Sequence, residues 1–214
     1  MMYDLVLFDL DGTLVNSEEG VTKSVQYALE AYDIVENDRI MLRRFLGPPL
    51  VDSFMEFYGM SEEEANGALL KYRERYTKTG VYENELMPDA KKVLEELKNR
   101  GVKLALATSK PHVFAREVLK SFDLTDYFDI IVGAEFDGTR NDKADVIKEV
   151  LKQAGEYKNP IMIGDRKHDV EGAKKNGLNC IGVSFGFAPE GELEECGAIA
   201  VVADMNNLLD ILLT

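Results

Sequence analysis

The stretch Tyr3-Asp4-Leu5-Val6-Leu7-Phe8-Asp9-Leu10-Asp11-Gly12-Thr13-Leu14 decides how the rest of the chain is read. Tyr3 to Phe8 is a short β-favouring run, and it ends in an acidic turn that carries a glycine. That is the pattern of a strand buried in a parallel sheet. In an open α/β sheet ligands bind outside the carboxyl ends of the strands, which is where Asp9 to Leu14 falls. Asp9 and Asp11 can converge on one site while Gly12 permits a backbone turn that other residues resist. Such a pair can hold a hard cation and can divide nucleophile and acid/base roles. The plain alternative is an Asx turn or a helix cap. A calcium loop of the EF-hand type is excluded. Counting from Asp9, Thr13 and Leu14 stand where an acid or amide and then a glycine are needed.

From Ser17 to about Thr79 no comparable strand follows, and apolar residues fall at helical spacing: Val21 to Tyr32, Ile40 to Leu46, Leu50 to Tyr58 and Ala65 to Tyr76. After Pro88 the pattern alternates. Strands are expected at 102–107, 130–132, 160–163, 179–183 and 199–202, with helices at 90–100, 113–122, 143–154, 171–176, near Glu192 and at 205–213. Alternation of this kind specifies β-α crossovers onto a parallel sheet. The fold class expected is therefore α/β, a doubly wound Rossmann-like core made of residues 1–16 and 83–214. A smaller all-helical domain, residues 17–82, is inserted after the first strand.

The chain has 214 residues, enough for one large domain carrying an insertion. Its 45% hydrophobic content supports a substantial core and argues against disorder. A net charge of −14 repels a phosphate polymer, so nucleic acid is a poor partner, while a small anion can still bind where a few cations converge. Cys180 and Cys196 have no metal-ligand or C-x-x-C spacing, and a reducing cytosol is the simplest compartment. The apolar run Leu5 to Leu10 is too short for a signal segment or a membrane span, so the chain is expected to be cytoplasmic. Nothing in the sequence speaks to oligomeric state.

Three further clusters lie near expected strand ends. In Thr108-Ser109-Lys110 a hydroxyl, backbone amides and a helix N-terminus could receive a phosphoryl oxygen, unless Ser109 is an ordinary N-cap ahead of Pro111. Lys143 follows Arg140-Asn141-Asp142 and could supply a point cation to a phosphate, although a solvated surface lysine is its ordinary reading. In Gly164-Asp165-Arg166-Lys167-His168-Asp169 two acids four residues apart could complete an oxygen-ligand metal site, or simply charge a helix start. His168 has no partner serine or cysteine motif and reads as a surface histidine. P-loop, dinucleotide-binding and α/β-hydrolase signatures are absent.

These clusters, in this order, resemble the four motifs of the haloacid dehalogenase superfamily of phosphotransferases. The resemblance implies that Asp9 is a nucleophile forming an aspartyl-phosphate and that Asp11 protonates the leaving oxygen, then deprotonates the attacking water. It implies that Thr108, with Ser109, and Lys143 hold the phosphoryl group. It also implies Mg²⁺ bound by Asp9, the main-chain carbonyl of Asp11 and Asp165, with Asp169 supporting directly or through water. The helical insertion is then a cap. Within the superfamily, Arg44-Phe45-Leu46-Gly47-Pro48-Pro49-Leu50 and the Gly164 to Asp169 segment look like the phosphoglycolate phosphatase group, which includes enzymes assigned as 5′-nucleotidases. Substrates implied are small phosphorylated metabolites, phosphoglycolate or a nucleoside 5′-monophosphate, and Arg44 or Arg43 could meet a carboxylate or second phosphate on them. A β-phosphoglucomutase-like phosphotransferase is the alternative, disfavoured because Asn16 to Thr22 lacks the histidine usual there. A non-catalytic phosphate-sensing module is a further alternative, disfavoured by the long insertion and by Asp11.

Overall fold

The protein is described here by a computed structural model covering residues 3–136, Arg140 and 142–214. Two compact units emerge, one made of Met1–Asn16 with Leu86–Thr214, the other of Ser17–Glu85.

In the first unit β1 (Leu5–Phe8) is followed by the short β2 (Val15–Asn16), where the chain leaves this unit. The inserted unit consists of α1 (Glu18–Glu30), α2 (Arg39–Arg43), α3 (Leu50–Tyr58) and α4 (Glu62–Lys78), ending in a 3₁₀ turn at Gly80–Tyr82. Its helices begin and end on recognisable local chemistry. Ser61 and Glu64 close a reciprocal capping box on α4, and Gly59 takes the left-handed conformation that stops α3. Glu83 belongs to this unit, because its carbonyl accepts the Gly20 amide (3.2 Å) and its carboxylate takes both guanidinium nitrogens of Arg75 at 2.8 and 3.0 Å.

The chain returns through β3 (Glu85–Leu86) and then alternates: α5 (Ala90–Asn99), β4 (Lys103–Pro111), α6 (His112–Ser121), β5 (Ile130–Ala134) and α7 (Lys143–Ala154). β6 (Pro160–Gly164), α8 (Lys167–Lys175), β7 (Asn179–Val183), α9 (Glu192–Glu195), β8 (Ala200–Val202) and α10 (Met205–Leu213) complete it. Six strands form one sheet in the order β5-β4-β1-β6-β7-β8, with every neighbouring pair parallel. A parallel sheet needs helices on both faces, and β1 shows the consequence: all four of its residues have no exposed surface. Leu5 and Leu7 face a core shared with Ala105, Val132, Val146 and Val170.

β1 lies at the centre of the sheet. From it the chain runs outward through β4 and β5, then crosses back to β6 and runs outward the other way through β7 and β8. The reversal makes the carboxyl ends of β1 and β6 the topological switch point, where neighbouring connections diverge and leave a crevice.

Two local expectations require correction. β4 continues through Thr108-Ser109-Lys110 to Pro111, with its register against β5 shifting between Ala107 and Pro111, so Ser109 is not the cap of α6. α8 starts at Lys167 and not at Glu171. Asp169 in its first turn accepts the Arg166 amide at 3.0 Å, which satisfies a donor that otherwise has no partner at a helix start.

Candidate active site

Asp9 leaves β1 at the switch point, Asp165 leaves β6 beside it, and Asp169 follows on the first turn of α8. Their carboxylates are buried and offer oxygens that all lie within 4.8 Å of one another, the only such grouping found among the described residues. Lys143, the first residue of α7, sends its buried ammonium between two of them, 2.7 Å from Asp9 Oδ1 and 2.8 Å from Asp169 Oδ1. It also donates a hydrogen bond to the carbonyl of Ala107 at 3.0 Å. The two carboxylate contacts are charge contacts without aligned hydrogen bonds, so Asp9 Oδ1 and Asp169 Oδ1 remain buried without a hydrogen-bond donor.

Asp165 is the most tightly built member. Its Oδ2 accepts the Phe187 amide at 2.7 Å and its Oδ1 accepts the Thr13 hydroxyl at 3.4 Å. Two glycines make room for it. Gly12 has φ +80°, and a Cβ on it would stand 2.0 Å from Asp165 Oδ2. A Cβ on Gly186 would stand 2.4 Å from Asp165 Cβ. Neither position admits a side chain while Asp165 stays where it is.

The electrostatics follow from that burial. Loss of solvent pushes the Asp9 carboxyl up to about 6, with Lys143 opposing the rise and Asp169 adding to it. Burial raises Asp165 well above the carboxylate range, and the charges of Asp169 and Asp9 add to that. Burial works against the charge on Lys143, but Asp169 and Asp9 outweigh it and push the ammonium above the usual lysine range. With three carboxylates and one ammonium, the cluster is short of positive charge in a place where water cannot supply the balance. The donor set is oxygen only, which suits a hard divalent cation of the Mg²⁺ or Ca²⁺ kind and not a soft metal.

Asp11 stands apart. Its carboxylate is 25% exposed and meets the ammonium of Lys110 through both oxygens, at 2.7 and 2.8 Å. Thr108 is buried within β4 and its hydroxyl accepts the Lys110 amide at 3.1 Å; Ser109 is partly exposed. The fold thus gathers Asp9, Lys143, Asp165 and Asp169, all expected from the sequence, at one strand-end cluster, and adds Lys110, Thr13 and Phe187, to which the sequence pattern assigns no role. A signal for Lys110 existed. Taken as strand, Thr108-Ser109-Lys110 puts residues 108 and 110 on the same side. Arg44 lies in the inserted unit, its guanidinium 3.8 Å over the ring of Phe57 and 3.8 Å from Glu56. His168 is half-buried outside the cluster, with its imidazole pushed below its usual range by burial and by Arg166.

The family model described as haloacid dehalogenase-like hydrolase matches residues 6–183. The chain belongs to that family, and its relatives put it among the family's phosphatases. It is 45% identical to a 5′-nucleotidase of Pseudomonas aeruginosa, over 99% of this chain and 96% of that one. It is 30% identical to phosphoglycolate phosphatase 1 of the same organism, over 96% of this chain and 78% of that one. Among solved structures, a predicted phosphatase from Clostridium acetobutylicum superimposes with a TM-score of 0.94 at 44% identity, covering 100% of this chain and 99% of that one.

Proposed function

We propose that this enzyme is a Mg²⁺-dependent phosphatase of small phosphorylated metabolites, a nucleoside 5′-monophosphate or phosphoglycolate, that works through an aspartyl-phosphate on Asp9. The observation that carries the reading is the Asp9-Asp165-Asp169-Lys143 cluster at the switch point of the sheet. Asp9, Asp165 and the main-chain carbonyl of Asp11 would hold the ion, with Asp169 beside them. When bound, Mg²⁺ supplies the positive charge that lets a phosphate anion approach Asp9.

A carboxylate of Asp9 attacks phosphorus, and the bond from phosphorus to the ester oxygen breaks. Asp11, entering the step as the carboxylic acid, gives that oxygen its proton and is left as the carboxylate. In the second half Asp11 takes a proton from water, the water attacks phosphorus, and inorganic phosphate leaves with Asp9 regenerated. Dividing the displacement in two suits a monoester, whose uncatalysed hydrolysis is among the slowest reactions known. Lys143, Thr108 and the amides near Asp11 and Ser109 hold the equatorial oxygens. Asp11 suits the proton-transfer role because its carboxylate is partly exposed to solvent, whereas Asp9 is buried.

The inserted helical unit is proposed to carry substrate preference as a cap, with Arg44 as its candidate recognition residue. A cytoplasmic setting accords with Cys180 and Cys196 both being free thiols, and among the described residues no helix is long and apolar enough to cross a membrane.

Phosphate release from phosphoglycolate, nucleoside monophosphates, hexose phosphates and p-nitrophenyl phosphate, with Mg²⁺ or chelator, tests the reading. The wild type is expected to release phosphate only with Mg²⁺, and Asp9→Asn is expected to release none. Turnover of Asp9→Asn within about tenfold of wild type would refute the nucleophile, since a lost catalytic group of this kind costs on the order of a hundredfold or more. A hexose phosphate isomer formed without phosphate would identify a mutase instead.

A further inference from the structure

Lys110 is almost wholly buried, its side chain 5% exposed, yet it lies outside the carboxylate cluster that employs Lys143. Its ammonium spans both oxygens of Asp11 at 2.7 and 2.8 Å. The chain beneath it is fixed. The Lys110 amide donates to the buried hydroxyl of Thr108 at 3.1 Å, and β5 passes so close that a Cβ on Gly133 would come within 2.6 Å of the Lys110 carbonyl oxygen. The ammonium is therefore presented from the closely packed end of β4, while Asp11 sits on a turn around Gly12 with its side chain partly in water. An aspartate on a turn has several open rotamers, and a contact to both of its oxygens selects one.

We propose that Lys110 is a positioning residue that holds the Asp11 side chain where its carboxylic acid form can protonate the leaving-group oxygen. This rests on the role of Asp11 in the proposed reaction and adds a residue to it. A general acid must come within about 2.6–3.2 Å of the oxygen it protonates. A displacement of about 1 Å can cost on the order of a hundredfold in rate. Lys143 already serves the cluster of Asp9, so the two lysines divide the site, one neutralising charge at the attacking side and one orienting the acid.

The need for an acid grows with the basicity of the leaving group, so the ester series separates positioning from other roles. The kcat/KM of Lys110→Met is compared with wild type on a nucleoside 5′-monophosphate and on p-nitrophenyl phosphate; this parameter reports only steps through the first P–O cleavage. Lys110→Met is expected to fall by about a hundredfold on the nucleotide and by less than about tenfold on the aryl ester. Lys110→Gln, which can still donate hydrogen bonds but carries no charge, serves as the second variant, and each melting temperature is measured. An equal fall on both esters overturns the inference, because loss of phosphate binding or of general structure does not sense the leaving group. No fall on either overturns it as well. Asp11→Asn keeps the two levels apart: if it shows leaving-group dependence and the Lys110 variants do not, only the role of Lys110 is lost. If Asp11→Asn shows none, the acid role falls and takes this inference with it.

Discussion

Asp9 and Asp11 are the same residue type two positions apart on one turn, yet they inhabit different physical regions. Asp9 is 8% exposed and is buried beside Asp165, Asp169 and a single ammonium. Asp11 is partly in water and meets the Lys110 ammonium through both of its oxygens. The first region is short of positive charge, while in the second each carboxylate oxygen of Asp11 has an ammonium contact. Burial, rather than residue type, therefore separates the aspartate we propose as nucleophile from the one we propose as proton carrier, and it divides the two lysines in the same way.

The largest expected contrast lies in stability between the lysines. Lys143→Met leaves buried carboxylates unpaired and is expected to cost about 3–5 kcal/mol by urea unfolding in chelator. Lys110→Met strands a carboxylate that can rehydrate and is expected to cost about 1 kcal/mol or less. Equal losses would break the comparison.

Asp165→Asn sharpens it from the other side. Removing one of the three buried negative charges is expected to stabilise the chelated protein by about 1 kcal/mol while abolishing both turnover and the response of the melting temperature to Mg²⁺, a trade of function for stability. A variant less stable than wild type in chelator would show that the cluster is not repulsive.

The pH dependence has a definite sign. Asp9 rises from 3.8 to about 6 on folding and Asp165 rises well above 3.8. Their contribution favours the fold fully below the unfolded value near 4 and is lost as pH climbs through the folded values. A bound cation favours the ionised forms and removes that loss. The rise in melting temperature on adding Mg²⁺ is therefore expected to be larger at about pH 7.5 than at about pH 5, and scanning calorimetry at both values reads it. A larger rise at the lower pH would contradict the burial argument. The smallest effect belongs to Arg44→Ala, which removes the stack on Phe57. It is expected to cost about 0.5–1 kcal/mol and to raise KM for an anionic metabolite without lowering kcat on p-nitrophenyl phosphate.

Much of this architecture is legible in the sequence because periodicity and strand-end chemistry agree. α3, α7, β7 and α10 span the residues that the pattern of apolar positions indicates. The clusters near Asp9, Lys143 and Asp165 follow β1, β5 and β6 in turn, so a parallel sheet brings them to one edge. What was not legible depends on contacts across long stretches of chain. Lys110 and Asp11 are 99 residues apart, and the Phe187 amide reaches back 22 residues to Asp165. The start of α8 at Lys167 was hidden because Arg166-Lys167-His168 has no apolar rhythm, and what starts the helix there is the carboxylate of Asp169 on the Arg166 amide. β4 runs on past Ala107 through a polar segment that resembles a helix cap, and only its pairing with β5 reveals it as strand.

The most direct measurement is to mix the wild type with a good substrate and Mg²⁺, quench in acid within the first turnover, and map phosphate on the digested chain by mass spectrometry. Phosphate on the peptide containing Asp9, absent from Asp9→Asn and absent with chelator, is the expected result. Full substrate turnover with no phosphate on that peptide at any quench time, or phosphate on another residue, would contradict the assignment of Asp9 as the nucleophile.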